Sequence, residues 1–407
     1  MTENIKGYYQ PVYNPDWNIY DCFYSDMDEL VIITPAEIRS APKIRLLESF
    51  DSASDSTGLE TQCYRYSEFA IHKCPHKHTY VYKLDSAKVK AVLGLSTNIF
   101  PDKICISIQS TKSIDSIDSR KSIKSNNTGN DINLVNEYHV LELNVNRYPI
   151  FKDEVIMSTL VKNEDNIIRT WVDFHLRLGV DRIIIYDNKC SPESNKNNTT
   201  TNYKLNTQDF SYKSSLIDLL ADYITSEKVI IINWPYAYTL NRSGISCQTT
   251  QQTHSCHVFR TAKWIGLLDV DEFVNIQSPE IILGSRIQWF LDDVILKSGI
   301  SKARIGGVQF RNKFFYNPDK LPVDDGCFLR ITSCAGEVLA KGREKCFVIP
   351  ANILTFSVHT ITLGGQLIKL SPKLGYFNHY IYLNKSDRGY DRTPWNDMSI
   401  SRYLPPS

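Results

Sequence analysis

The sequence predicts an α/β protein: a mostly parallel, doubly wound sheet flanked by helices over residues 151–407, preceded by a β-rich domain over residues 1–150. Three observations carry that prediction. From Val155 onwards, short apolar strand-like runs alternate with helix-like stretches, the pattern of strand–helix–strand units with right-handed crossovers. Before residue 150 the apolar runs are short and separated by Pro, Asp, Ser and Gly clusters, without a sustained helical period. Finally, the run WIGLLDVDEF at residues 264–273 passes abruptly from apolar residues into Asp269, Asp271 and Glu272. A chain of 407 residues with 42% hydrophobic residues is long enough for two cores.

Taken in order, the first 150 residues offer the β-like segments Leu30–Ile33, Tyr80–Leu84, Ala91–Leu95, Ile104–Ile108 and Val140–Val145. Within them Cys63, His72, Cys74, His76 and His78 form a zinc-like cluster, but the spacing matches no standard finger. The stretch HKCPHKHTYVY reads equally well as a strand with alternating exposed residues. Residues 111–131 are rich in Ser, Asn, Lys and Asp and cannot bury enough apolar surface to order themselves, so a flexible linker is expected.

The second region opens with a strand over Val155–Val161 and a helix over Asn163–Leu178. Asn163 suits the N-cap, Glu164 and Asp165 the positive end of the helix dipole, and Gly179 the stop. Ile167, Trp171, Phe174 and Leu178 share one helical face and read as core. RIIIYDN at 182–188 is a second buried strand ending in an acid, and a polar insertion follows at 191–209. Ser215–Thr225 is helix-like, Val229–Asn233 strand-like, and Gly244–Thr261 helical up to the strand that begins at Trp264.

Bulk charge points to no macromolecular partner. The formal net charge is +1, so neither nucleic acid nor an anionic membrane surface is favoured. The N-terminus shows no basic-plus-apolar leader, and no apolar run approaches the roughly 20 residues of a membrane span. A soluble, cytoplasmic protein is expected, and the Asn/Ile/Lys/Ser-heavy composition suggests an AT-rich microbial or viral genome. The ten cysteines are expected as free thiols; Cys247 and Cys256 would face opposite sides of one helix.

The chemistry gathers at strand ends. If the strand from Trp264 stays extended, Asp269 and Asp271 point the same way while Val270 returns to the core. Two carboxylates so placed seat a hard divalent cation that keeps open positions for phosphate oxygens. Lys162-Asn163-Glu164, Asp187-Asn188 and Asp269-Val270-Asp271 would then converge on the carboxyl edge of one sheet, where such folds bind ligands. No Walker-type loop, GxGxxG or GxSxG is present. Sugar transfer from a nucleotide sugar, nucleotidyl transfer, and carbohydrate binding by an inactive domain remain open on these residues alone.

An ordered series of motifs decides among them. VKNEDNIIRTWVDFHLRLGVDRIIIYDN, then INWP at 232–235, Gln251 with Ser255-Cys256-His257, and WIGLLDVDEF resemble glycosyltransferase family 92. Gly307–Phe315, Lys345–Pro350, Val358-His359 and Asn378-His379-Tyr380, with Ser386 and Arg388-Gly389 behind them, continue the series over roughly residues 153–390. The resemblance implies a GT-A fold, a UDP-sugar donor (galactose first), Mn²⁺ or Mg²⁺, a glycan acceptor and inversion at the anomeric carbon. It implies that Asn163 and Glu164 lie beside the nucleotide, and that Asp187, with Asn188, holds the uracil. Asp269 and Asp271 match the metal motif, with Asp271 the direct ligand and Asp269 nearer the ribose or the ion's outer shell. His359 or His379 would complete the metal shell; Gln251, His257 and Trp234 are expected as core or supporting residues. The proton acceptor is sought among Asp324, Asp325, Glu337 and Glu344, with Asp325 preferred. Relatives with an N-terminal β domain suggest an accessory, carbohydrate-binding role for residues 1–150.

Overall fold

The computed structural model describes residues 7–11, 20–25, 29–33, 44–47, 59–60, 63–64, 79–83, 103–110, 137–189, 214–236, 239–240, 245–277, 286–316, 329–331, 333–335, 340–380 and 394–403. They fall into two compact units, one taking the described residues within 20–65 and 77–147 and the other those within 7–11 and 148–403. Of the expected features, Ala91–Leu95, the linker 111–131, the insertion 191–209, Asp324, Asp325 and Glu337 lie outside the described residues, as do four members of the Cys/His cluster.

The first unit contains two four-stranded antiparallel sheets. One orders Asp21–Tyr24, Glu29–Ile33, Thr79–Lys83 and Cys63–Tyr64; the other orders Leu59–Glu60, Ile44–Leu47, Lys103–Ser110 and Glu137–Asn144. Leu30, Val31, Ile32 and Ile33 are all buried, which explains why their continuous apolar run was legible as a strand.

In the second unit the main strands are β1 (Tyr8–Tyr9), β2 (Val155–Val161), β3 (Arg182–Asp187), β4 (Val229–Asn233) and β5 (Trp264–Leu267), then β6 (Glu272–Ile276), β7 (Ile305–Phe315), β8 (Ala340–Val348) and β9 (Gly375–Tyr380). The helices are α1 (Asp165–Arg177), α2 (Ser215–Leu219), α3 (Ala221–Thr225), α4 (Cys247–Val258) and α5 (Ile287–Ser298). The large sheet runs β1-β4-β3-β2-β5-β8-β7, with β9 pairing both β6 and β7. The predicted parallel arrangement holds from β1 to β5. Beyond β5 it gives way to antiparallel pairing of β8 with β5 and with β7. Among the described residues no α-helix lies between β7 and β8 that could serve as the crossover a parallel arrangement requires. Gly307 lets the two strands close up, since a Cβ there would lie 2.3 Å from the Phe347 carbonyl oxygen.

β1 corrects the division at residue 150. Tyr8 and Tyr9 pair in parallel with Ile231 and Ile232, so these two residues complete an edge of the second unit's sheet. A cut at residue 150 would strip that strand and leave the β4 edge unpaired.

α1 starts later than its sequence suggests. Glu164 is the N-cap, while Asn163 takes a left-handed backbone, φ 59°, for which asparagine is one of the better-suited residues. Its end follows expectation: Gly179, at φ 91°, donates to the Leu176 carbonyl and Val180 to that of His175, a Schellman stop. Leu220 breaks the predicted Ser215–Thr225 helix into α2 and α3. Every residue of α4, CQTTQQTHSCHV, is buried despite its polarity. Internal partners make that tolerable: Gln251 Nε2 donates to Ser158 Oγ at 2.7 Å, Tyr186 and His254 share a 2.8 Å bond, and His257 Nε2 donates to the Leu354 carbonyl at 2.9 Å. Cys247 and Cys256 are free, buried thiols.

Buried His175 makes a testable contribution. Its Nδ1 donates to the Trp171 carbonyl at 2.9 Å, and its ring stacks on Phe273 at 5.7 Å. Burial drives its pKa from 6.5 down to about 3, against the smaller upward pull of that hydrogen bond. The unfolded chain therefore takes up a proton near pH 6.5 that the folded chain refuses. This contribution is fully present above pH 6.5 and is lost at up to about 1.4 kcal/mol per pH unit as pH falls towards 3. His175→Phe should flatten the fall in urea stability between pH 6 and 4; an unchanged slope would contradict this origin.

Candidate active site: an acidic turn at the switch point

The path β2, β3, β4 steps one way across the sheet, and β5 then pairs on the opposite side of β2. That reversal is a topological switch point, and the crevice outside the carboxyl ends of β2 and β5 is the expected ligand position. Val161 closes one of these strands and Leu267 the other, so Asn163, Glu164 and the 269–272 acids sit at the same sheet edge.

Asp269 and Asp271 occupy a turn between β5 and β6 and not an extended strand, and Glu272 opens β6, which corrects the expected alternation. β5 ends at Leu267. Glu272 then donates its N–H to the Asp269 carbonyl at 3.1 Å, while the Asp269 N–H donates to Glu272 Oε2 at 2.9 Å. These reciprocal bonds fold the chain back before β6 begins. Tyr380 fastens the turn from β9, its N–H reaching the Asp271 carbonyl at 2.9 Å, and Trp171 fastens it from α1, its indole N–H reaching the Glu272 carbonyl at 2.9 Å.

Around this turn the side chains form a charge-alternating cluster. Lys345, only 1% exposed, places Nζ 2.7 Å from Asp269 Oδ2 and 3.7 Å from Glu272 Oε2. The 2.7 Å contact is an ion pair without hydrogen-bond alignment. Gln248, from α4, donates to Asp269 Oδ1. Glu272 is fully buried, and its Oε1 accepts from Asn312 Nδ2 at 2.6 Å. His379 stands opposite Glu272 in the β6–β9 register. Its Nδ1 lies 3.2 Å from Asn312 Nδ2 and 3.5 Å from Glu272 Oε1, while its Nε2 lies 3.3 Å from Asp271 Oδ2.

Protonation follows from these neighbours. Burial would raise the Asp269 pKa, but the Lys345 charge and contact outweigh it and hold the carboxyl below its ordinary value. Asp269 lies deep among other residues yet keeps 36% of its side chain open, so solvent still screens its charge. Burial dominates at Glu272 and raises its pKa, against the opposing pull of Lys345. Burial would discharge His379; the Asp271 carboxylate, helped by Glu272, instead brings its pKa up to about 9.

The fit of this cluster to a divalent cation can be judged donor by donor. Among the described residues no three His, Cys, Asp or Glu side chains form a ready-made cage. Asp271, 32% exposed, and His379 form a two-donor pair whose 3.3 Å separation suits adjacent ligands at bond lengths of about 2.1 Å, and a cation binding there would displace the proton that Asp271 now holds on the ring. Water or other oxygen ligands would fill the other positions, as is usual for Mg²⁺-like ions. Both Asp269 oxygens already face protein donors.

His359, Asp187 and Asn188 make other contacts. His359 donates Nδ1–H to the Glu344 carbonyl at 2.9 Å, and burial followed by the Lys345 charge lowers its pKa. Asp187 is buried, with Oδ1 accepting from the Lys189 N–H at 2.9 Å and Oδ2 accepting from the Ser214 hydroxyl. Burial raises its pKa despite those bonds. Asn188 spends its amide hydrogens on the Trp234 and Tyr236 carbonyls, bracing the segment after β4. Glu272, Asn312, Gln248 and Lys345 are the residues the sequence argument gave no role at the site. Lys345 closes the charged run Arg343-Glu344-Lys345 just before the apolar CFVIP, so the sequence carried no clear signal that it would be buried among acids.

The glycosyltransferase family 92 model matches residues 204–404, a span that contains the acidic turn, Lys345 and His379. Through that region the chain belongs to glycosyltransferase family 92. A family 92 protein of Oryza sativa subsp. japonica is 23% identical over 231 residues, covering 56% of this chain and 33% of the rice protein. One from Ricinus communis is 25% identical over 123 residues, covering 30% of this chain and 17% of the relative. The chain thus aligns with a third or less of these family 92 relatives. No helix among its described residues is long and apolar enough to cross a membrane.

Proposed function

We propose that this chain is an inverting glycosyltransferase with a GT-A fold, moving a sugar from a UDP-sugar to a glycan acceptor with Mn²⁺ or Mg²⁺; galactose is the first candidate. The observation that carries the reading is the Asp271–His379 pair on an acidic turn at the switch point of a family 92 domain. Asp271 and His379 would hold the cation, which when bound supplies Lewis-acid stabilisation to the departing diphosphate. Glu272 and Asn312 orient the His379 ring from its Nδ1 side. Asp269 faces Lys345 and Gln248 and supports the turn. Asn163 and Glu164 at the end of β2, and Asp187 and Asn188 at the end of β3, are our candidates for the nucleoside side of the site. Asp325 is our candidate to take the acceptor hydroxyl proton as attack proceeds opposite the leaving group.

The test is a panel of UDP-sugars and nucleoside triphosphates, with Mn²⁺ or with EDTA, assayed for binding and turnover. Metal-dependent binding of a UDP-sugar and its slow hydrolysis are expected. Turnover of a triphosphate with no UDP-sugar response would move the assignment to nucleotidyl transfer, and binding of neither would overturn it.

A further inference from the structure

Lys345 is a deeply buried cation in the middle of a cluster that would itself be expected to hold a cation. It sits on β8, antiparallel to β5, with 1% of its side chain exposed. A lysine this deep keeps its charge only beside carboxylates, and it has two: Asp269 Oδ2 at 2.7 Å and Glu272 Oε2 at 3.7 Å. The other Asp269 oxygen accepts from Gln248. A divalent ion bonded to Asp269 would have to lie against the Lys345 ammonium, two like charges in a poorly solvated place. Asp271 is differently placed: its Oδ2 faces the His379 ring across 3.3 Å.

We propose that Lys345 is a positioning residue that ties Asp269 into the turn and keeps it out of the cation's ligand shell, leaving Asp271 and His379 as the protein's donors. The inference rests on the metal-dependent reading above. It predicts an effect of unusual sign. Removing the Lys345 charge frees a carboxylate beside the site, so the site should hold a cation more tightly, whereas loss of a purely structural residue would loosen it.

The experiment is Mn²⁺ titration of the full chain with UDP present, read by the electron paramagnetic resonance signal of free Mn²⁺. Asp271→Asn should weaken Mn²⁺ binding at least tenfold, while Asp269→Asn stays within threefold of wild type. Lys345→Met should tighten binding at least threefold, and Asp269→Asn added to it should cancel that gain. If Lys345→Met alone does not fold, the paired variant, which removes both charges together, carries the test and should bind within threefold of wild type. Lys345→Arg should retain wild-type affinity. A tenfold loss in Asp269→Asn or in the folded pair would make Asp269 a direct ligand and overturn the inference while leaving the metal reading intact. Failure of the wild type to bind Mn²⁺, or full binding by Asp271→Asn, would overturn the metal reading and the inference with it.

Discussion

Asp271→Asn should fold like the wild type and lose cation-dependent donor binding, with turnover falling at least about 100-fold. The two halves of that expectation have separate causes. The backbone carbonyl of Asp271, which receives the Tyr380 N–H at 2.9 Å, survives the change. The carboxylate is 32% exposed, and with its charge removed the buried His379 ring loses the group that holds its proton and discharges, so no unpaired buried cation is left behind. For a cation the change removes one of two facing donors and the negative charge with it. Calorimetry should show a melting temperature within about 2 °C of wild type, while titration of UDP with Mn²⁺ shows no cation dependence. Unchanged affinity in the folded variant would remove Asp271 from the site.

Trp171→Ala should cost about 3–5 kcal/mol of stability. Trp171 is fully buried on α1, its ring 4.5 Å from that of His175, and its indole N–H is the link from α1 to the Glu272 carbonyl. Truncation opens a cavity and leaves that carbonyl without its partner. Trp171→Phe keeps most of the volume and loses the hydrogen bond, so a smaller cost near 1–2 kcal/mol is expected. Urea unfolding of both variants checks the ordering. A Trp171→Phe variant as unstable as Trp171→Ala would assign the effect to the hydrogen bond, and a loss below about 1 kcal/mol in both would show that the site relaxes around the gap.

The strands of the parallel half were legible because both faces are buried, which turns them into unbroken apolar runs such as Ile183–Ile185 and Ile230–Ile232. α1 was legible from its Ile167, Trp171, Phe174 stripe and its Gly179 stop. α4 was visible only as a helical span: its wholly buried polar surface has no amphipathic period, because its partners come from β2, β3 and the 354–356 segment. The acids at 269–272 stood out by composition, yet their geometry did not. Reciprocal bonds between Asp269 and Glu272 close a turn where alternation along a strand was expected. Lys345, Asn312 and His379 reach the turn from 40 to 107 residues away. Only the β8, β7 and β9 pairings bring them there.

The most direct measurement is an anomalous-scattering map from crystals of the full chain grown with Mn²⁺ and UDP. One Mn²⁺ peak is expected at the carboxyl end of β5, at a bonding distance of about 2.0–2.3 Å from an Asp271 carboxylate oxygen and from His379 Nε2, with the diphosphate on its open side. UDP bound in the same crevice with no Mn²⁺ beside Asp271, or a peak seated elsewhere in the molecule, would contradict it.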